Sequence, residues 1–178
     1  MTGTTRREFE PVALALHELP YGVYVVGSVD EAGPNVMVAD WVMQVSFDPR
    51  MVAVALERDS STLVRVRANG RLSVSLLPAD DDSMRMAMQF VQPANPSKVE
   101  GRRSAGTGRV DKLAGVAHRV IEGGLPVLDD AVAWLRCEAD QFVEAGDHVL
   151  VLARVLEGAP GESAEPMTTL YTGWTYSG

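Results

Sequence analysis

Short apolar runs rich in Val, Leu and aromatic residues, cut by clusters of Gly, Pro, Asp and Asn, recur along the chain and specify strands joined by turns. The segment YGVYVVGSV (21–29) is dense in β-branched and aromatic residues and ends at DEAGPN (30–35), which predicts a strand entering a hairpin loop. Asn35 to Phe47 reads as a long second strand and Met51 to Leu56, after the break at Asp48-Pro49, as a third. Leu72 to Leu77 alternates as a strand. Val132 to Phe142 and His148 to Leu156 are two more, and VEAGD (143–147) between them has hairpin length. After the Gly- and Pro-rich GAPGESAEP (158–166), read as flexible, the tail TTLYTGWTYSG predicts a last short strand with an aromatic end.

Helical periodicity is confined to short pieces. Val12, Leu14, Ala15, Leu16 and Leu19 share one helix face that Pro20 terminates. Ser60, Ser61 and Thr62 precede LVRVRANG, so a serine-capped helix ending at Gly70 is expected there. Acids open ADDDSMRMAMQF (79–90), whose Met84, Met88 and Phe90 would point inward. Six or more strands with few short helices, mostly joined by hairpin-length loops, predict a mainly β protein built on an antiparallel barrel. Parallel winding needs longer crossover helices than the pattern contains.

Composition narrows the function. The 178 residues are 46% hydrophobic, enough for one domain spanning the whole chain. A formal net charge of −8 repels phosphate backbones and anionic lipid surfaces, which argues against nucleic acid and membranes as partners. No run approaches the ~18 apolar residues of a membrane span, and the first residues resemble neither a signal peptide nor a presequence. Cys137 is the single cysteine, so no internal disulfide forms, and a reducing, cytoplasmic setting is expected.

Candidate chemistry is sparse. His17, His118 and His148 lie far apart in sequence, in neither a metal-binding spacing nor a nucleophile signature, so neither a metal site nor a hydrolase is expected. Cys137, within AWLRCEAD, alternates inward with Leu135 as a buried structural thiol. His148 stands just after Gly146 and Asp147, where a hairpin turn accounts for it as well as a site does. ERDSST (57–62) places hydroxyls beside the unpaired amides of a helix start, a workable phosphate site, although a plain cap explains the same residues. Residues 92–109 form a basic stretch with Lys98, Arg102, Arg103 and Arg109, read as an exposed loop. Within ADWVMQVSFDPR (39–50), an acid, an indole and an amide interrupt an apparent core strand.

The order of these pieces resembles the flavin reductase-like family of FMN-binding split β-barrels. LPYGVYVVGSV, NVMVADWVMQVSFDPRMVAVAL, SSTLVRVRANGRLSVSLL, AWLRCEAD, AGDHVLVLARV and LYTGWTY carry the resemblance over nearly the whole chain. It implies an antiparallel split β-barrel, Greek-key-like, that binds FMN (FAD is an alternative). It also implies a homodimer that transfers hydride from NAD(P)H and can serve a partner monooxygenase. By the same match, Val38, Ala39, Asp40, Trp41, Gln44, Val45 and Ser46 would border the flavin ring, with Ala55 and Leu56 at its apolar edge. Ser60, Ser61 and Thr62, with Arg58, would hold the ribityl phosphate, and Ser75 falls where relatives often carry Asn. His148 would position the nicotinamide, and Tyr171, Trp174 and Tyr176 are candidates to cover the site.

Three positions depart from the family pattern. Val38 replaces a usual Thr, Asp40 a neutral Ser or Asn, and Arg50 the second proline of Asp-Pro-Pro. Asp40 weighs most, because a carboxylate near a flavin opposes the negative charge of the reduced ring, whereas beside N3–H it would be a useful acceptor. Two other readings therefore stay open: an electron carrier that does not use nicotinamide, and a barrel that has exchanged its ligand for a deazaflavin or haem.

Overall fold

The computed structural model describes residues 11–91 and 111–174. The basic stretch 92–109 lies wholly outside these, as does Tyr176. Seven antiparallel strands form one sheet in the order β2-β1-β5-β8-β9-β4-β3, and β6 and β7 form a separate hairpin. The strands are β1 (Tyr24–Asp30), β2 (Gly33–Ala39), β3 (Val42–Phe47), β4 (Arg50–Glu57), β5 (Arg71–Leu76), β6 (His118–Ile121), β7 (Leu125–Leu128), β8 (Ala133–Ala145) and β9 (His148–Pro160). The helices are α1 (Pro11–His17), α2 (Ser61–Asn69), α3 (Asp81–Val91) and α4 (Thr169–Thr172).

β2 and β3 are consecutive in sequence yet occupy opposite edges of the sheet. The chain can connect them only because the twisted sheet curls until those edges approach. The junction is Asp40–Trp41, where Ala55 N–H of β4 donates to Trp41 O at 3.0 Å. The sheet is a split barrel, and this crossing is its seam. The expected single strand from Asn35 to Phe47 is thus two strands, and the acid and indole of ADW sit in the joint between them.

Two apolar cores flank the curled sheet. Val26, Val52, Val54, Leu56, Leu72, Val74, Cys137 and Val151 fill the interior with Leu63 and Val66 of α2. Val23, Val25, Val36 and Leu77 pack outside against Ala87 and Phe90 of α3, Leu128 of β7 and Met167. β1 is covered on both faces, which is why its sequence is nearly continuous in apolar residues rather than alternating. Ser60 caps α2, its Oγ accepting from Leu63 N–H at 3.1 Å, and Gly70 ends the helix with φ 72°, the conformation glycine adopts without strain.

In α1 the apolar Val12, Leu14 and Leu16 are exposed. Three further expectations are corrected. Met88 is half exposed, since α3 turns Ser83 and Ala87 inward together with Phe90, which is buried as expected. The tail folds as the short helix α4, capped by Thr168, rather than a strand. β9 extends to Pro160, so the start of the supposed flexible linker is paired with β8. Cys137 is buried as expected, and desolvation pushes its thiol pKa up to about 12.

Candidate functional site

A cavity of about 630 Å3 opens at the seam, within the usual range for cofactor and ligand pockets. Met37, Val38 and Ala39 of β2 lead into it, followed by Asp40 and Trp41 of the crossing. Ala55 and Glu57 of β4, His148 of β9, Met88, Phe90 and Val91 at the end of α3, Lys112, and Thr169 and Trp174 of the tail complete the wall with Val23 and Gly173.

Strand register brings these residues together. β4 pairs with β9 so that Glu57 stands opposite His148, while the Ala55–Trp41 backbone bond draws the crossing against β4. The Trp41 and His148 rings consequently lie 4.8 Å apart at a 48° tilt, and the Tyr21 ring lies 6.4 Å from that of Trp41. Gly146, at φ 63°, turns the β8–β9 hairpin just ahead of the histidine. The His148 side chain is only 12% exposed, and its Nδ1 lies 2.7 Å from Asp147 Oδ1. That bond places the proton of a neutral ring on Nδ1 and leaves Nε2 as an acceptor. It also lowers the pKa of the Asp147 carboxyl.

Asp40 is half-buried, and desolvation raises its pKa. Its own and Trp41's amides, and the charge of His148, act in the opposite direction. Lys112 was not singled out in the sequence. It is 6% exposed, and its Nζ donates to Val36 O of β2 at 3.1 Å and Phe90 O of α3 at 2.8 Å. Burial, and to a smaller degree repulsion from Arg65, lower its pKa to about 8. A lone lysine after a basic stretch carries no local pattern that marks it as buried.

Six of the sequence-chosen residues meet in this cavity: Val38, Ala39, Asp40, Trp41, Ala55 and His148. Trp174 joins them, whereas Tyr171 is exposed. Leu56 is fully buried in the barrel interior instead. Gln44, Val45 and Ser46 lie along the edge strand β3, where a bulge leaves Val45 without a register partner and Gln44 Nε2 bridges it to Ser46 O at 3.1 Å. Ser75 is buried with its Oγ accepting from Leu128 N–H of β7 at 3.2 Å.

The segment expected from the sequence to hold a phosphate adjoins the cavity along the chain. From Glu57 on the wall the chain passes through Arg58 and Asp59 into the start of α2, where Ser60 is the cap, Ser61 is exposed and Thr62 is buried. Arg58 pairs with Glu144 of β8 at 3.0 Å, and Arg67 of α2 takes the other oxygen at 2.8 Å. Among the described residues no group of three or more His, Cys, Asp or Glu side chains is placed to hold a metal ion. Nor is any helix among them long and apolar enough to cross a membrane.

Residues 16–177 match the family described as flavin reductase like domain. The chain belongs to the flavin reductase-like family. Among the relatives of this flavin reductase-like domain, NADH:riboflavin 5'-phosphate oxidoreductase of Streptomyces pristinaespiralis is 32% identical over 159 residues, 88% of this chain and 81% of that protein. High molecular weight rubredoxin of Moorella thermoacetica is 31% identical over 159 residues, 88% of this chain and 63% of its own length. The crystallised NADH:FAD oxidoreductase of Streptomyces globisporus superposes with a TM-score of 0.72 at 26% identity, covering 86% of this chain and 83% of that one. The chain spans less than two thirds of several curated relatives it matches, as the 63% for the Moorella protein illustrates.

Proposed function

We propose that this flavin reductase-like domain binds FMN, or FAD in its place, at the seam cavity and reduces it with NAD(P)H. The observation that carries this reading is the convergence of Val38, Ala39, Asp40, Trp41, Ala55 and His148 on one cavity of about 630 Å3. They come from β2, the crossing, β4 and β9, and the pairing of these segments gathers all six around one opening. The residues present fit a flavin: apolar Val38, Ala39, Ala55 and Trp41 suit a planar ring system, and few polar groups accompany them. The names of relatives, NADH:riboflavin 5'-phosphate oxidoreductase and NADH:FAD oxidoreductase, support the choice of flavin and nicotinamide.

When bound, a flavin supplies the hydride-accepting chemistry, so the protein contributes binding, orientation and exclusion of water. Trp41 offers an aromatic surface at the crossing, and the Asp147 bond holds the His148 ring beside it as a positioning group for the nicotinamide. The N-terminus of α2 offers the amides of Ser61 and Thr62 and the exposed Ser61 hydroxyl to the ribityl phosphate, where the helix dipole also favours an anion.

The partner in the reading is a second copy of the chain. Met43 is 65% exposed and Phe47 87% exposed on terminal strand β3, a density of exposed apolar side chains that suits an interface. A partner monooxygenase would consume the reduced flavin.

Anaerobic titration with FMN and FAD, followed by NADH or NADPH, tests the activity. Rapid bleaching of the oxidised-flavin band by either nucleotide is expected, and binding without bleaching would convert the reading to an electron carrier. Sedimentation of wild type and Phe47→Asp tests the dimer, with dissociation of the variant expected.

A further inference from the structure

Asp40 is the one carboxylate in the crossing that forms the seam, and it stands where the family usually has a neutral side chain. The titratable groups around the cavity are Asp40 after β2, Glu57 ending β4, His148 opening β9 and Lys112 under α3. Lys112 is committed to the Val36 and Phe90 carbonyls, and His148 to Asp147. Asp40 therefore lacks the direct cationic partner that would cancel its charge: its carboxylate takes part in none of the ion pairs among the described residues, and His148 only offsets it at longer range.

Hydride transfer adds two electrons and one proton to the flavin ring. A neutral oxidised ring thereby becomes an anion at neutral pH, with the new hydrogen on N5 and no proton on N1. A fixed carboxylate in a partly desolvated wall interacts differently with those two states, because Coulomb repulsion arises only with the second. Resting on the flavin reading above, we infer that Asp40 makes the cavity discriminate between redox states, binding oxidised flavin more tightly than reduced flavin and so favouring release of the product.

Affinities for oxidised and reduced flavin, measured separately under anaerobic conditions for FMN by titration calorimetry, test this together with the midpoint potential of the bound flavin. Wild type is expected to bind reduced FMN more weakly than oxidised FMN. Asp40→Asn, nearly equal in shape, is expected to bind oxidised FMN within about threefold of wild type and reduced FMN at least tenfold more tightly. By linkage that tenfold change raises the bound potential by about 30 mV for a two-electron couple. Glu162→Gln, an exposed carboxylate in the loop after β9, is the control for overall charge and should leave the ratio unchanged. An Asp40→Asn ratio equal to wild type overturns the inference, as does an equal shift from Glu162→Gln. Equal weakening of both redox forms in Asp40→Asn also overturns it, identifying Asp40 as an acceptor for the ring instead. If wild type binds no flavin in either state, the underlying reading falls as well.

Discussion

β5 and the β2–β3 crossing both place polar side chains in apolar surroundings, but only one of them faces a cavity. In β5, Ser73 Oγ donates to Pro126 O at 2.5 Å and Ser75 Oγ accepts from Leu128 N–H at 3.2 Å, so both buried hydroxyls are engaged with the backbone of β7. They fasten a hairpin that has no ladder to the main sheet. At the crossing, Asp40 and Trp41 line the cavity, and their backbone rather than their side chains supplies the tie to β4. A polar residue in an apolar run is thus structural where the backbone nearby lacks a partner, and a site candidate where the backbone is already satisfied.

The sharpest way to break the structural half is Gly27→Ala. A Cβ at Gly27 would collide with Ser73 Oγ and lie 2.6 Å from Pro126 O, at the place where β1, β5 and β7 meet. Destabilisation of about 3 kcal/mol is expected, read as a lower denaturant midpoint.

Lys112 combines the two cases, since it lines the cavity yet donates to two backbone carbonyls. Its folded pKa of about 8 lies below the ordinary 10.5, so the unfolded chain holds this proton more tightly. Burying the charged ammonium is therefore unfavourable below about pH 8, and that penalty is relieved as pH rises from about 8 towards 10.5. Relative to Lys112→Met, wild-type stability should be level below about pH 8 and rise above it, by up to about 3 kcal/mol, in chemical denaturation across pH. A difference independent of pH would mean that only the carbonyl bonds matter there.

Most strands of the main sheet, their hairpins and α2 with its caps were legible because each rests on local chemistry: β-branched runs, turn residues, Ser60 and Gly70. The seam was not, because the polar interruption at Asp40 carries no turn residue such as Gly or Pro and so does not announce that the chain changes edge there. The family motif pointed to Asp40, Trp41 and His148, which line one cavity, while Ser75 matched the motif's position but is held by Leu128, a partner 53 residues away. Lys112, the β6–β7 hairpin and the exposed Met88 depend on tertiary packing that periodicity does not encode. Leu56 is a different case: strand alternation alone sends neighbouring Ala55 and Leu56 to opposite faces, the cavity and the interior, so the two could not both border one pocket.

Two further substitutions separate the halves of the comparison by their readouts. Ser75→Ala leaves the buried Leu128 N–H without its acceptor and should cost about 1–2 kcal/mol of stability, with FMN affinity within twofold of wild type. Trp41→Ala should do the reverse. Trp41 is only partly buried, its ring lies 4.8 Å from that of His148, and its removal leaves the Trp41 O to Ala55 N–H bond in place. Oxidised FMN should bind about tenfold more weakly, equivalent to about 1.4 kcal/mol, in a fluorescence-quenching titration. Trp41→Phe retains an aromatic surface and should recover much of that affinity. If Ser75→Ala instead weakens FMN as much as Trp41→Ala does, the hydroxyl belongs to the site, and the division between a fastened strand and an open seam fails.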